Sequence, residues 1–246
     1  MRREQTQLGW DDFNGTVVVH GHYGRPVLVF PSEQGRAEDF ANNGMVDAVA
    51  DLIDAGRVKL YCVDSADEYS WSDRSVDIEE RARRHNRYEQ WIVEHVAPWM
   101  AGDSGGASDF ATLGCSLGAY HAANLALKRA DLFPLALCFS GNYDPRSWHA
   151  WGEPGDATYF NNPMSYVAHF NGDHLNWLRE RVSLLLVVGQ GSWEVDPTGA
   201  LPSTRAFADV LSGKGIRHEL DVWGHDIPHD WPSWQRQLAH HLPRFC

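Results

Sequence analysis

The sequence predicts an α/β layered fold around a mostly parallel central sheet with helices on both faces. Three observations predict it. Short runs rich in Val and Leu recur along the chain, and several are nearly all apolar, as strands buried on both faces require. Helical stretches separate them, and that alternation implies right-handed crossovers. The length of 246 residues, with 43% hydrophobic and 22% charged, suits a single globular domain spanning 1–246.

The strand candidates are 16–20, 26–30, 58–63, 110–113, 135–139, 182–188 and 217–222. The first two, separated by GHYGR, are compatible with an antiparallel hairpin at the sheet edge. Helices are expected at 45–55, 78–100, 117–129, 204–214 and 231–241. In the second of these, Trp91, His95 and Trp99 recur at helical spacing, and Arg81, Arg83, Arg84 and Arg87 form one basic face. Asp77, Glu79 and Glu80 stand close enough to pair with that face, which reads as a solvated surface. Residues 142–181 fit neither period and read as a partly helical, cap-like excursion over one end of the sheet. Its Trp148, Trp151 and Trp177 either pack the excursion onto the sheet or wall a pocket.

Composition excludes some partners. Asp+Glu number 33 against 21 Lys+Arg, a net charge of −12, whereas nucleic acid and anionic membranes call for clustered cations. The start MRREQTQLGWDD has no apolar stretch behind its basic residues, and the longest strictly apolar run is 184–188, so a cytoplasmic location is expected. Cys62, Cys115, Cys138 and Cys246 are scattered without a CxxC pair and read as free thiols.

The sharpest motif is Gly114-Cys115-Ser116-Leu117-Gly118, a G-x-S-x-G between the apolar run FATL and the Ala-rich LGAYHAANLALKRA. A serine in such a strand-to-helix turn holds a strained backbone that lifts its Oγ clear of the sheet. A Cβ at either glycine would crowd the neighbouring strand or helix, and the N–H groups opening the helix point at charge forming beside Ser116. Cys115 should point into the sheet, while Tyr120 and His121 read as helix packing.

A neutral serine needs a base. Where this elbow occurs, the histidine comes last in chain order, after the final strand. The loop GHDIPHDW offers His225 and His229. Their H-x₃-H spacing also fits a metal site, but Pro228 disfavours the helix that would align such ligands, so neither metal nor cofactor is expected. The third member, which orients the imidazole, should follow the strand SLLLVVGQ, where Glu194 and Asp196 lie. Glu194 is preferred, because Asp196 precedes Pro197 and suits a helix cap. Oxyanion stabilisation needs two N–H donors. One is Leu117; the other comes from the loop Pro31-Ser32-Glu33-Gln34-Gly35, where Pro31 has no N–H and Ser32 or Glu33 is the choice. A Glu33 carboxylate should point away from the oxyanion, or toward a cationic group of the substrate.

Four segments carry a family resemblance: GCSLGAYHAANLAL, PLALCFSGNYD, VGQGSWEVD and HDWPSWQRQLAHHL. In this order, and over roughly 27–241, the sequence resembles the esterase family of the α/β-hydrolases that includes esterase D-like S-formylglutathione hydrolases, antigen 85-type mycolyltransferases and enterochelin esterases. The resemblance implies an α/β-hydrolase fold and a small-molecule ester or acyl substrate, and dimers are common in the family. It selects His229, because the family's histidine sits in an H-x-W-x-x-W ending, and it supports Glu194. The early loop FPSEQG departs from the family's HGG-like run. The function expected is ester hydrolysis through an acyl-enzyme on Ser116. The alternatives are acyl transfer or thioester cleavage by the same residues, and a binding protein that keeps the fold without turnover.

Overall fold

The computed structural model describes residues 3–10 and 13–246. Met1, Arg2, Asp11 and Asp12, part of the stretch read for a leader, lie outside the described residues. Among the described residues, eight strands form one sheet: β1 (Arg3–Trp10), β2 (Phe13–His20), β3 (Arg25–Phe30), β4 (Val58–Val63), β5 (Ala111–Cys115), β6 (Leu135–Phe139), β7 (Ser183–Val188) and β8 (Arg217–Val222). Their order across the sheet is β1-β2-β4-β3-β5-β6-β7-β8. β2 is antiparallel to both β1 and β4, and the pairs from β4 to β8 are parallel.

Two expectations about the sheet edge are corrected. The hairpin is β1–β2, not 16–20 with 26–30, because β4 lies between β2 and β3. β1 was not expected: REQTQLGW has little apolar content, and its place rests on a backbone ladder running from Arg3 opposite His20 to Trp10 opposite Phe13.

Among the described residues, ten helices flank the sheet. They are α1 (Asp39–Asn42), α2 (Ala50–Asp54), α3 (Ile78–Trp91), α4 (Ala97–Asp103), α5 (Leu117–Lys128), α6 (Asp156–Phe160), α7 (Pro163–His169), α8 (Gly172–Arg181), α9 (Ala200–Lys214) and α10 (Trp231–His241). Side chains alternate across each strand. Leu28 and Phe30 of β3 thus join a core with α3, α5, α7 and α9, while Val27 and Val29 join a core on the opposite face with Ile53 of α2 and Trp234 and Leu238 of α10. The stretch expected as one helix at 78–100 passes through a π-helical turn, Ile92–Val96, between α3 and α4.

Arg81 does not belong to a basic surface. It is fully buried and donates to the carbonyls of Val76 and Trp148, while Arg83 and Arg84 pair with Glu79 and Glu80 as expected. Asp77 instead caps α3, accepting the Glu80 N–H at 2.8 Å. Residues 142–181 carry α6, α7 and α8. The Glu79 carboxylate ties α6 to α3 by accepting the N–H groups of Gly155, Ala157 and Thr158. Among the described residues, no helix is long and apolar enough to cross a membrane.

Candidate active site

In parallel α/β sheets, polar side chains gather where the strands end, because loops there are free of the ladder. Here the C-terminal ends of β3, β5, β6, β7 and β8 lead into the segments that carry Glu33, Ser116, Ser140, Glu194 and His229.

Ser116 sits between β5 and α5 with φ 58° and ψ −123°, a conformation an L-residue adopts only under constraint. Two close approaches supply the constraint. A Cβ on Gly114 would lie 2.1 Å from the Gly118 carbonyl oxygen, and one on Gly118 would lie 2.3 Å from that of Pro31. The elbow is therefore pressed against its own helix on one side and the end of β3 on the other. Ser116 N–H donates to Phe139 O at 2.8 Å, which continues the β5–β6 ladder into the turn. Cys115 points into the sheet core, where burial and the neighbouring Cys138 push its thiol well above the usual range.

The acid-bearing and histidine-bearing loops lie backbone to backbone. Gly189 meets the Ile227 carbonyl so closely that a Cβ would come within 2.1 Å of it, and Gly191 N–H donates to that oxygen at 2.9 Å. His229 N–H donates to Ser192 O at 2.9 Å, and Asp230 caps α10 by accepting the Ser233 N–H at 3.0 Å. These bonds fix the histidine immediately before the helix, with its ring edge-on to Trp234 at 5.0 Å.

The three side chains form one hydrogen-bonded chain. His229 Nε2 lies 2.9 Å from Ser116 Oγ, and His229 Nδ1 lies 3.1 Å from Glu194 Oε2. Glu194 is fully buried, and its second oxygen accepts from Ser140 Oγ at 2.6 Å and Gly189 N–H at 3.2 Å. Every partner of this carboxylate is thus a hydrogen-bond donor rather than a fixed cation, which leaves its charge directed at the imidazole.

The rival residues lie elsewhere. His225 is exposed and contacts the Gln190 carbonyl at 3.3 Å, bracing the loop. Asp196 is exposed and does not cap α9: the residue preceding that helix is Gly199, and the N–H of its first residue, Ala200, is accepted by Thr198 Oγ1 at 3.2 Å. Among the described residues, no group of three or more His, Cys, Asp and Glu side chains is arranged to hold a metal ion.

A cleft of about 380 Å³ opens on Ser116, Leu117 and His229. Glu33 and Leu117 are among the residues that line it, and Ser32 is not. The Glu33 carboxylate accepts the Ser72 hydroxyl at 2.5 Å, and the Gln34 N–H is already taken by Asp67 Oδ2 at 3.2 Å.

Of the three tryptophans in the excursion, Trp148 alone lines the cleft. It meets Trp71 edge-on at 5.5 Å. Trp151 is exposed and donates to the Arg74 carbonyl, and Trp177 faces solvent. Sequence reasoning missed Trp71, Ser140 and Asp67. Only the GN after the FS of β6 hinted at a turn near Ser140, and nothing in the sequence pointed at its hydroxyl.

The protein-family comparison matches the Esterase model, described as "Putative esterase", over residues 25–245. No curated protein sequence shows a significant match. Among solved structures, a ferulic acid esterase superposes with a TM-score of 0.75 at 16% identity, covering 99% of this chain and 97% of that one. MPT51 of Mycobacterium tuberculosis matches with a TM-score of 0.75 at 16% identity, covering 99% and 97%. The S-formylglutathione hydrolase of Agrobacterium tumefaciens gives a TM-score of 0.73 at 16% identity, covering 98% and 93%. At such identities structural likeness establishes the α/β-hydrolase fold alone, and the family match carries the rest. The chain belongs to the esterase family of the α/β-hydrolases and is by class a carboxylic ester hydrolase.

Proposed function

We infer that the protein cleaves small carboxylic esters through an acyl-enzyme on Ser116, with His229 as general base and Glu194 as the orienting acid. The observation that carries this reading is the unbroken chain from Ser116 Oγ to His229 Nε2 (2.9 Å) and from Nδ1 to Glu194 Oε2 (3.1 Å). His229 takes the hydroxyl proton as Ser116 Oγ attacks the carbonyl carbon, and the carbonyl π electrons move onto oxygen. The N–H groups of Leu117 and Glu33 stabilise that oxyanion. Collapse breaks the ester C–O bond, and the imidazolium returns its proton to the departing alcohol. Water then attacks the acyl-enzyme, again losing a proton to His229, and the acid leaves as Ser116 regains its proton. Buried Glu194 holds the ring proton on Nδ1 and stabilises the transient imidazolium.

A fluorophosphonate probe tests the assignment. Labelling of the wild type that disappears in Ser116→Ala, together with hydrolysis of short p-nitrophenyl esters lost in the same variant, is the expected result. A folded wild type that is neither labelled nor active overturns it.

A further inference from the structure

The mechanism leaves the buried carboxylate of Asp67 without a role. Asp67 is fully buried, and burying an ionised side chain is costly unless specific donors meet it. Its two oxygens are used by two distant segments. Oδ1 lies 2.9 Å from His121 Nε2, and Oδ2 accepts the Gln34 N–H at 3.2 Å. His121 belongs to α5, the helix that opens at the elbow, and Gln34 to the loop that carries Glu33.

The Gln34 bond bears on the shape of that loop. Gly35 N–H donates to Ser32 O at 3.0 Å, closing a four-residue turn, and Gln34 at its third position has φ 56°. A positive φ there marks a type II turn and is ordinarily reserved for glycine or asparagine. The central peptide of such a turn flips readily to the type I orientation, which would swing the Gln34 N–H away. The Asp67 carboxylate accepts that N–H only in the orientation observed.

His121 secures the other end. Its Nδ1 is buried with no hydrogen-bond partner, so the ring proton belongs on Nε2, facing Asp67. Phe30, the residue before the loop, lies 5.6 Å from the same ring. The segment after Asp67 adds a second tie, through Ser72 Oγ to the Glu33 carboxylate.

We propose that Asp67 is a positioning residue for the oxyanion hole: by bonding His121 and Gln34 at once, it locks the loop presenting the Glu33 N–H against the helix presenting the Leu117 N–H. This rests on the reading of Ser116 as nucleophile with Leu117 and Glu33 as oxyanion donors.

Loss of the lock should raise the cost of the tetrahedral state and leave ground-state binding alone. Wild type and Ser116→Ala are first compared with the fluorophosphonate probe; failure there sinks the parent reading and is distinct from failure of the Asp67 role. Asp67→Ala and Asp67→Asn are then assayed on p-nitrophenyl acetate and for inhibition by an aryl trifluoromethyl ketone, which forms a tetrahedral adduct. In Asp67→Ala, kcat should fall about 10- to 100-fold with KM within about threefold, and ketone affinity should weaken in parallel. Asp67→Asn should recover part of the loss, because its Oδ1 still accepts the Gln34 N–H while its Nδ2 meets the His121 Nε2–H less well than a carboxylate oxygen does. A wild-type kcat in folded Asp67→Ala overturns the proposal. So does a loss of kcat without weaker ketone binding, or an Asn variant as deficient as Ala. Should Asp67→Ala not fold, His121→Phe carries the test. It keeps the ring contacts and removes the anchor; a several-fold lower kcat at unchanged KM is expected, and an unchanged kcat overturns the proposal.

Discussion

The Ser140 hydroxyl lies 2.6 Å from Glu194 Oε1, and its oxygen accepts the Trp234 indole N–H at 3.1 Å. Ser140 has φ 51° and donates its own N–H to Val187 O at 2.7 Å, so a strained turn at the end of β6 aims this hydroxyl at the carboxylate. Trp234 also meets the His229 ring. One indole thus touches the histidine and, through Ser140, the carboxylate that faces it. Replacing Ser140 by Ala leaves the indole donor and one carboxylate oxygen short of a partner in a dry environment. The expected outcome is a fall in kcat of about tenfold, or ~1.4 kcal/mol, with little change in KM, measured on p-nitrophenyl esters.

Glu194→Gln keeps the shape of the acid but reverses what it offers His229. An amide NH₂ facing Nδ1 favours the tautomer that cannot accept the Ser116 proton, and no negative charge remains to stabilise the imidazolium. A loss of about 10³- to 10⁴-fold in kcat is expected, by analogy with the Asp→Asn change in serine-protease triads. Asp196→Asn, on an exposed side chain two residues on, should stay within about twofold of wild type. Steady-state kinetics of the two variants side by side check the assignment, and equal losses in both would overturn it.

The elbow was legible in the sequence because its chemistry is local: two glycines admit a close approach and one serine takes a strained φ, so the pattern is written in five adjacent residues. Ser116, Glu194 and His229 were each reached in the sequence as residues just past a strand end, and their side chains form one hydrogen-bonded chain. Ser140, Asp67 and Trp71 were not legible, since each acquires its partner only when distant strand ends converge. β1 was invisible for another reason: a polar edge strand is held by its backbone ladder, and hydrophobic pattern carries no trace of it. Arg81 misled because helical spacing placed it beside Arg84, although the segment 142–151 folds over that turn and covers it, Trp148 accepting from its guanidinium.

Gly118→Ala tests the packing of the elbow without touching its polar chemistry. The added Cβ would lie 2.3 Å from Pro31 O and 2.6 Å from Phe30 O, both main-chain atoms that cannot rotate away. Alanine suits the helix by propensity, so any loss measures the clash. A destabilisation of about 3 kcal/mol, seen as a melting temperature lower by roughly 6–12 °C, is expected from overpacking in a chain of this size. Activity should fall too, because relief of the clash must move β3 and the loop that follows it away from Ser116. A thermal melt indistinguishable from wild type would contradict the close approach.

One ionised carboxylate, Glu79 of α3, receives the N–H groups at the start of α6, while Asn161 at its end donates to Asn86 of α3. Burial pushes Glu79 up, but bonds from the N–H groups of Thr158, Ala157 and Gly155 and from the Thr158 hydroxyl outweigh it and hold the carboxyl below its usual value of 4.5. A lowered folded-state value means that the unfolded chain binds the proton more readily. The contribution is therefore fully present above about pH 4.5, the unfolded value, and is lost as pH falls through the folded one. Glu79→Gln presents one carbonyl oxygen and an NH₂ group to four donors and should be less stable than wild type at pH 7. The gap should narrow steadily from pH 5 to pH 3 as wild-type Glu79 takes up its proton. Urea unfolding of both proteins across that range checks the sign, and a gap that stayed constant or widened on acidification would show that the charge of Glu79 does not hold α6 in place.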